Sequence, residues 1–317
     1  MDSRTEPAEA EPEPAAATRR PSPHSTAARP PLVRELLLVV GLFVVYKVGR
    51  QVADGHTAEA FRNANRVWDW ERTLHLPGEG SIQGALLHSD TLVHLANAYY
   101  ATVHFPATVA FLVWMYLRRP VHYVWARRIL AAVTAAALAL HLTFPLAPPR
   151  LLAAAGLVDT GQVYGPTVYG AHPATDEMAN QFAAMPSLHF GWALMVAIGL
   201  IAATRPPVSH HHPNRDASRR PFRSRLRWLW LLHPLLTLLV IVGTANHYWL
   251  DAIVATALLG IALAVIRLPR GAGAAEARGP VAADETYDEA DGAAGNSGGA
   301  GGAGEKESAP ELVGARR

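Results

Sequence analysis

His247 and Asp251 stand four residues apart in Asn246-His247-Tyr248-Trp249-Leu250-Asp251, at the start of the last apolar run. In a helix that spacing puts both on one face, where the carboxylate can orient the imidazole. A neutral imidazole held this way has a fixed tautomer and can attack phosphorus. A helix N-terminus disfavours the imidazolium, which keeps His247 nucleophilic. A second histidine lies in Met185-Pro186-Ser187-Leu188-His189-Phe190-Gly191-Trp192, which follows a Pro/Gly-rich loop and opens another apolar run. This stretch reads as the first turn of a helix, where proline is tolerated and Ser187 can cap the exposed amides. The same helix start offers N–H groups and partial positive charge to an anion. His189 therefore suits a general acid for a departing alcohol and then a base for an acceptor. Two histidines and an aspartate at two helix mouths point to covalent phosphoryl chemistry.

Arg150 ends the segment Phe144-Pro145-Leu146-Ala147-Pro148-Pro149-Arg150 and is the lone basic residue between positions 148 and 186. Its guanidinium fork can clamp phosphate oxygens as charge builds up in the transition state. Ser187, Asn246 and Tyr248 join it as expected substrate-binding residues. His94, His122 and His233 read as hydrogen-bonded packing residues, whereas His104 and His141 either pack or line the cavity. The triplet His210-His211-His212 resembles a metal tract but lies in a basic loop and reads as solvated. Two histidines and a carboxylate also make a zinc site, so metal ligation by His189, His247 and Asp251 is a rival reading. With no HExxH-type pairing it ranks behind, and neither metal nor cofactor is expected.

The elements that must position these residues are membrane helices. Half of the 317 residues are hydrophobic, concentrated in blocks of the length a bilayer-spanning helix requires. Six candidate spans follow: 36–52, 92–117, 129–147, 188–204, 228–246 and 248–266. The first is interrupted by Lys47 and Arg50, which must snorkel. Asp251 is the one carboxylate inside the last five, and an ionisable group at that depth argues for a site. Arg118, Arg119, Arg127 and Arg128 separate spans two and three, and seven arginines separate four and five. That asymmetry places both termini in the cytoplasm and the ends carrying Arg150, His189, His247 and Asp251 at the outer face. Residues 59–76, with Phe61, Trp68, Trp70 and Leu74 among Arg62, Arg66, Glu71 and Arg72, read as an amphipathic helix at the outer interface, or else a short re-entrant segment. Residues 160–175 are expected to form an irregular cover over the site. The tails, 1–31 and 269–317, are too polar and Pro- or Gly-rich to order themselves, which leaves 32–268 as the membrane domain. There is no cysteine, so no disulfide, thiol nucleophile or thiolate site is available. The first thirty residues lack the apolar core of a signal peptide.

Pro186-Ser187-Leu188-His189 is similar to the second motif of the type 2 phosphatidic acid phosphatase superfamily, and His247-Tyr248-Trp249-Leu250-Asp251 to the core of its third. The pattern resembles more closely the inositol phosphorylceramide synthase branch, the inositolphosphotransferases, over about residues 61–266. The resemblance implies an all-α six-helix bundle, with His247 as nucleophile, His189 as acid/base and Asp251 as orienting carboxylate. The phosphatase first motif is lysine, six residues, then Arg-Pro; here Thr143 takes the lysine position and Leu151 follows Arg150. Their third motif begins Ser-Arg six residues before the histidine, where Ile241 stands. With two phosphate-binding cations missing, a phosphodiester monoanion is better neutralised than a monoester dianion. The expectation is thus a cell-membrane phosphotransferase that moves a phospho-head group from a phospholipid to a hydroxyl acceptor. Its partners are the bilayer and those two substrates, with nucleic acid not among them. Rival readings are a lipid phosphate or pyrophosphate phosphatase, and a non-catalytic lipid-binding or transport protein. The latter would call for paired half-helices or an internal repeat, and neither is seen.

Overall fold

A computed structural model describes residues 29–52, 56–166, 182–205, 225–269 and 271–272, all in one unit of the chain. The two tails, most of the cover segment, the His210–His212 triplet and the side chains of Lys47 and Arg50 lie outside the described residues. What is described is helical, with no strand among the described residues and one isolated bridge, Leu146 to Ala183.

Helix α1 (Leu32–Val52) is followed by α2 (Thr57–Thr73), α3 (Glu79–Leu87), α4 (Asp90–Thr102) and α5 (His104–Arg118). Then come α6 (Pro120–Thr143), a short α7 (Thr160–Tyr164), α8 (Leu188–Ala203), α9 (Leu232–Gly243) and α10 (Trp249–Val265). Helix α2 matches the amphipathic segment expected at 59–76. Helix α3 had no counterpart in the hydropathy pattern; it is short and packs against α4 and α9.

The span expected at 92–117 is broken. Helices α4 and α5 meet at Val103 with a 47° bend. Pro106 supplies the reason: it has no N–H for the Thr102 carbonyl, and its ring collides with that carbonyl in a continuous helix. The span expected at 129–147 starts nine residues earlier, at Pro120, so Arg127 and Arg128 sit on α6 and not in a loop. Helix α6 is the one described helix long and apolar enough to cross a bilayer unbroken; α4 and α5 pass the same test only as a bent pair. Helices α8 and α10 and the stretch 227–243 are apolar but shorter. At 1.5 Å per residue α8 is about 24 Å long, less than the ~30 Å of a hydrocarbon core. Six full-length spans are therefore not what the helices by themselves display.

The core lies where α6 packs against α5, α8 and α10, around Phe111, Met115, Ile129, Met195 and Leu259. Gly199 permits the α5–α8 approach, since a Cβ there would stand 2.5 Å from the Phe111 ring. Helix α1 is fixed to α6 by the buried Glu35, which accepts hydrogen bonds from Tyr123 Oη at 2.9 Å and from Arg127. Long apolar side chains also point outward: Phe105 and Val113 on α5, Leu235 and Leu239 on α9, and Ile253 and Ile261 on α10.

Candidate active site

Four segments are tied together at one end of the bundle. The chain leaving α6 pairs with the segment before α8, with Leu146 N–H donating to Phe182 O and Ala184 N–H to Leu146 O. Arg150 N–H donates to Ala245 O at 3.0 Å, and Ser187 N–H to Asp251 O at 3.2 Å. The turn after α9 is tight. Ala245 adopts a left-handed φ of 52°, and the N–H groups of Asn246 and His247 both return to Ile241 O. A non-glycine residue held in that region stores strain, which the surrounding bonds must outweigh. The result is that His247 enters the site from a fixed backbone.

His247 Nδ1 lies 3.1 Å from Asp251 Oδ2 and 2.9 Å from Ala184 O. Two oxygens at Nδ1 assign the ring proton there in the neutral form, so the lone pair is on Nε2. Asp251 Oδ2 also accepts the Tyr248 N–H at 2.9 Å, capping α10 with the carboxylate that orients the histidine. His189, one residue into α8, presents its ring 5.9 Å from that of His247. Ser187 Oγ accepts the Phe190 N–H at 3.4 Å, the cap expected from sequence, while Pro186 stands just ahead of that cap and not inside the helix.

Behind His189 lies an aromatic wall. Tyr100 stacks on it at 4.4 Å, and His104 is tilted against it at 4.5 Å and against Trp192 at 5.2 Å. His104 thus belongs to the site cluster, and the α4–α5 break is what delivers it. His233 shares Tyr99 Oη at 2.9 Å, a packing role, and His141 is buried in the last turns of α6. Tyr100 was not a sequence candidate.

Arg150 is almost wholly buried. Its Nη1 donates to Asn246 Oδ1 at 2.7 Å and its Nε to Asp159 Oδ2 at 3.1 Å. Asn246 is therefore an arginine partner, and it also donates to Thr244 Oγ1 at 2.8 Å. Asp159 is a second residue not anticipated, and no spacing in its loop marks it. Tyr248 is fully buried in a cluster with Leu146 and Phe182. At the positions of the absent phosphatase cations, Ile241 is fully buried and Thr143 bonds back to Ala139 O of its own helix.

Glu71 was expected on the polar face of α2. It is instead fully buried, and its Oε1 accepts the Leu250 N–H at 2.8 Å. Ala60, Ala64, Val67 and Glu71 follow a spacing of four, three and four, so the helical period itself places Glu71 on the inward stripe. Burial, and then the neighbouring Glu79 carboxyl, push its pKa up to about 9.

A family model described as the PAP2 superfamily matches residues 65–211 and 217–265, well over half of the chain. No curated protein and no solved structure matches it.

Proposed function

The chain belongs to the PAP2 superfamily, that of the type 2 phosphatidic acid phosphatases, and on that premise we propose that it is an integral-membrane phosphotransferase acting on a phospholipid. The superfamily's enzymes are phosphatases and phosphotransferases of lipid-type substrates; the choice between hydrolysis and transfer is the further step. His247 Nε2 attacks the phosphorus of a phosphodiester lipid. The P–O bond to diacylglycerol breaks, and the leaving oxygen takes the proton from His189. A hydroxyl acceptor then gives its proton back to His189 and attacks the phosphohistidine ester, freeing His247. The 5.9 Å between the two rings supports this sequence, because a phosphoryl group lying between them can be within about 3–3.5 Å of both.

The observation that carries transfer over monoester hydrolysis is the charge of the site. Arg150 is already matched by Asp159 at 3.1 Å, and Ile241 and Thr143 occupy the positions of the two other cations. What remains is the N-terminus of α8 at about half a charge, since Asp251 and Glu71 already meet the first amides of α10. That suits a monoanion and leaves a dianion with an uncompensated charge, which is expensive in a dehydrated site. The exposed leucine, isoleucine and phenylalanine side chains around α5, α9 and α10 support a bilayer setting. Arg118, Arg119, Arg205 and Arg267 stand at the helix ends remote from His247, which supports a cytoplasmic location for that end.

Purified full-length protein in mixed micelles should consume phosphatidylinositol faster than phosphatidic acid, and an added lipid alcohol should raise the rate. Efficient phosphate release from phosphatidic acid, with diesters untouched, would instead favour a lipid phosphatase.

A further inference from the structure

Glu71 and Glu79 are both fully buried, and Glu71 meets the first turn of α10 at the Leu250 amide. Each has one oxygen with a donor. Glu71 Oε1 takes the Leu250 N–H, and Glu79 Oε2 takes Arg72 Nη2 at 2.5 Å. Each also has one buried oxygen with no donor: Glu71 Oε2 and Glu79 Oε1. The two carboxyl groups flank one guanidinium nitrogen, Arg72 Nη2 lying 3.9 Å from Glu71 Oε2 and 2.5 Å from Glu79 Oε2. Two buried acceptors cannot satisfy one another, but a single proton placed between them satisfies both. One proton also balances charge, because Arg72 is then the counterion of one net negative charge in place of two.

Glu71 Oε1 accepts the Leu250 amide, and Leu250 is one residue from Asp251. Without an acceptor that amide would be an orphan at the helix start. Glu71 therefore holds α10 at the turn from which Asp251 orients His247.

We propose that Glu71 and Glu79 form a proton-sharing carboxyl pair that positions the His247–Asp251 dyad, α2 reaching across to cap α10 through Glu71. Both are positioning residues, acting through Leu250 and Asp251 and not on substrate. The groups that face the pair are Arg72 on α2 itself, and Tyr248 and Asp251 at the start of α10. Raising the pH until the shared proton leaves puts two negative charges beside Asp251, and the first turn of α10 loosens.

The inference rests on the phosphohistidine reading for its effect on turnover, but not for the state of the carboxyls. The test uses full-length protein, with phosphatidylinositol in mixed micelles as the assay substrate. Glu71→Ala lowers kcat about tenfold with KM little changed, because a buried amide has lost its partner. Glu71→Gln restores most of that loss, since its amide oxygen accepts from Leu250 and its NH2 donates to Glu79. It also lacks the fall in kcat that wild type shows above about pH 9. Difference infrared spectra at neutral pH show the C=O stretch of a protonated carboxyl in wild type and not in Glu71→Gln. Stability reads the same pair: a carboxyl whose folded pKa is raised from 4.5 to about 9 stabilises fully below 4.5 and progressively less up to 9. The melting temperature of Glu71→Gln relative to wild type should accordingly rise across that window. Equal defects in Gln and Ala variants, no protonated-carboxyl band, or a pH-independent difference in melting temperature would overturn the pair. Should His247→Ala retain turnover while the band and the stability trend are present, the catalytic reading fails and the pair stands.

Discussion

One oxygen of Asp251 serves two masters: Oδ2 lies 3.1 Å from His247 Nδ1 and 2.9 Å from the Tyr248 amide nitrogen. The carboxylate that caps α10 is the one that sets the tautomer of the histidine. Asp251→Asn keeps a cap but can turn an NH2 toward Nδ1, which favours the other tautomer and takes the lone pair off Nε2. Turnover should fall about 10³–10⁴-fold, as for other carboxylate-oriented histidines, with little change in melting temperature. Steady-state kinetics and thermal unfolding of the same preparation check both halves.

If Arg150 holds substrate phosphate, as proposed, Asp159 competes with that phosphate for its guanidinium. Replacing it by asparagine removes a charge-assisted bond of about 1.5–3 kcal/mol from the guanidinium. Inorganic phosphate should then inhibit about tenfold more tightly, and phosphatidic acid should become a better substrate relative to phosphatidylinositol. Inhibition constants for phosphate in wild type and Asp159→Asn measure this, and unchanged constants would place Arg150 outside the phosphate site.

The juxtaposition of His247, Asp251 and His189 was legible from local cues, a spacing of four and a serine cap before an apolar run, although His247 stands just before the Tyr248 cap of α10 and does not share a helix face with Asp251 as expected. The boundaries of α8 and α10 were legible for the same reason, since apolar runs end where the helices end. The break at Val103 was not drawn from the sequence although Pro106 marks it, because hydropathy across 92–117 is continuous while backbone bonding is not. Asp159 and Tyr100 were out of reach. Asp159 matters through Arg150, across an irregular loop with no helical period to pair them, and Tyr100 through His189 on another helix. Glu71 could have been found, because it falls on the alanine stripe of α2, but its charge suggested solvent.

Tyr100 is the wall against which His189 is held. An aromatic contact of this kind contributes about 0.5–1.5 kcal/mol, so Tyr100→Ala should cost about 3–10-fold in kcat as the ring of His189 loses its orientation. Tyr100→Phe keeps the stack and should stay near wild type. A loss in Phe equal to that in Ala would assign the effect to the hydroxyl.

The proposed orientation can be read by labelling, since the chain has no cysteine of its own. Thr160 is fully buried, so Val163, exposed on α7, is the better reporter for the site end; Arg205, exposed after α8, reports the other. In intact cells an impermeant maleimide should modify Val163→Cys and not Arg205→Cys. Labelling of both, or of Arg205→Cys only, would reverse or remove the outward-facing site.

The most direct measurement is of the covalent intermediate itself. In His189→Ala the first step can still proceed slowly, but the acceptor lacks its base, so the phosphohistidine should accumulate. After incubation with phosphatidylinositol, quenching at alkaline pH and peptide mass spectrometry should find inositol phosphate on the peptide carrying His247. The adduct should disappear in His189→Ala combined with His247→Ala. An adduct on any other residue, or full turnover by His247→Ala without one, would contradict His247 as the nucleophile.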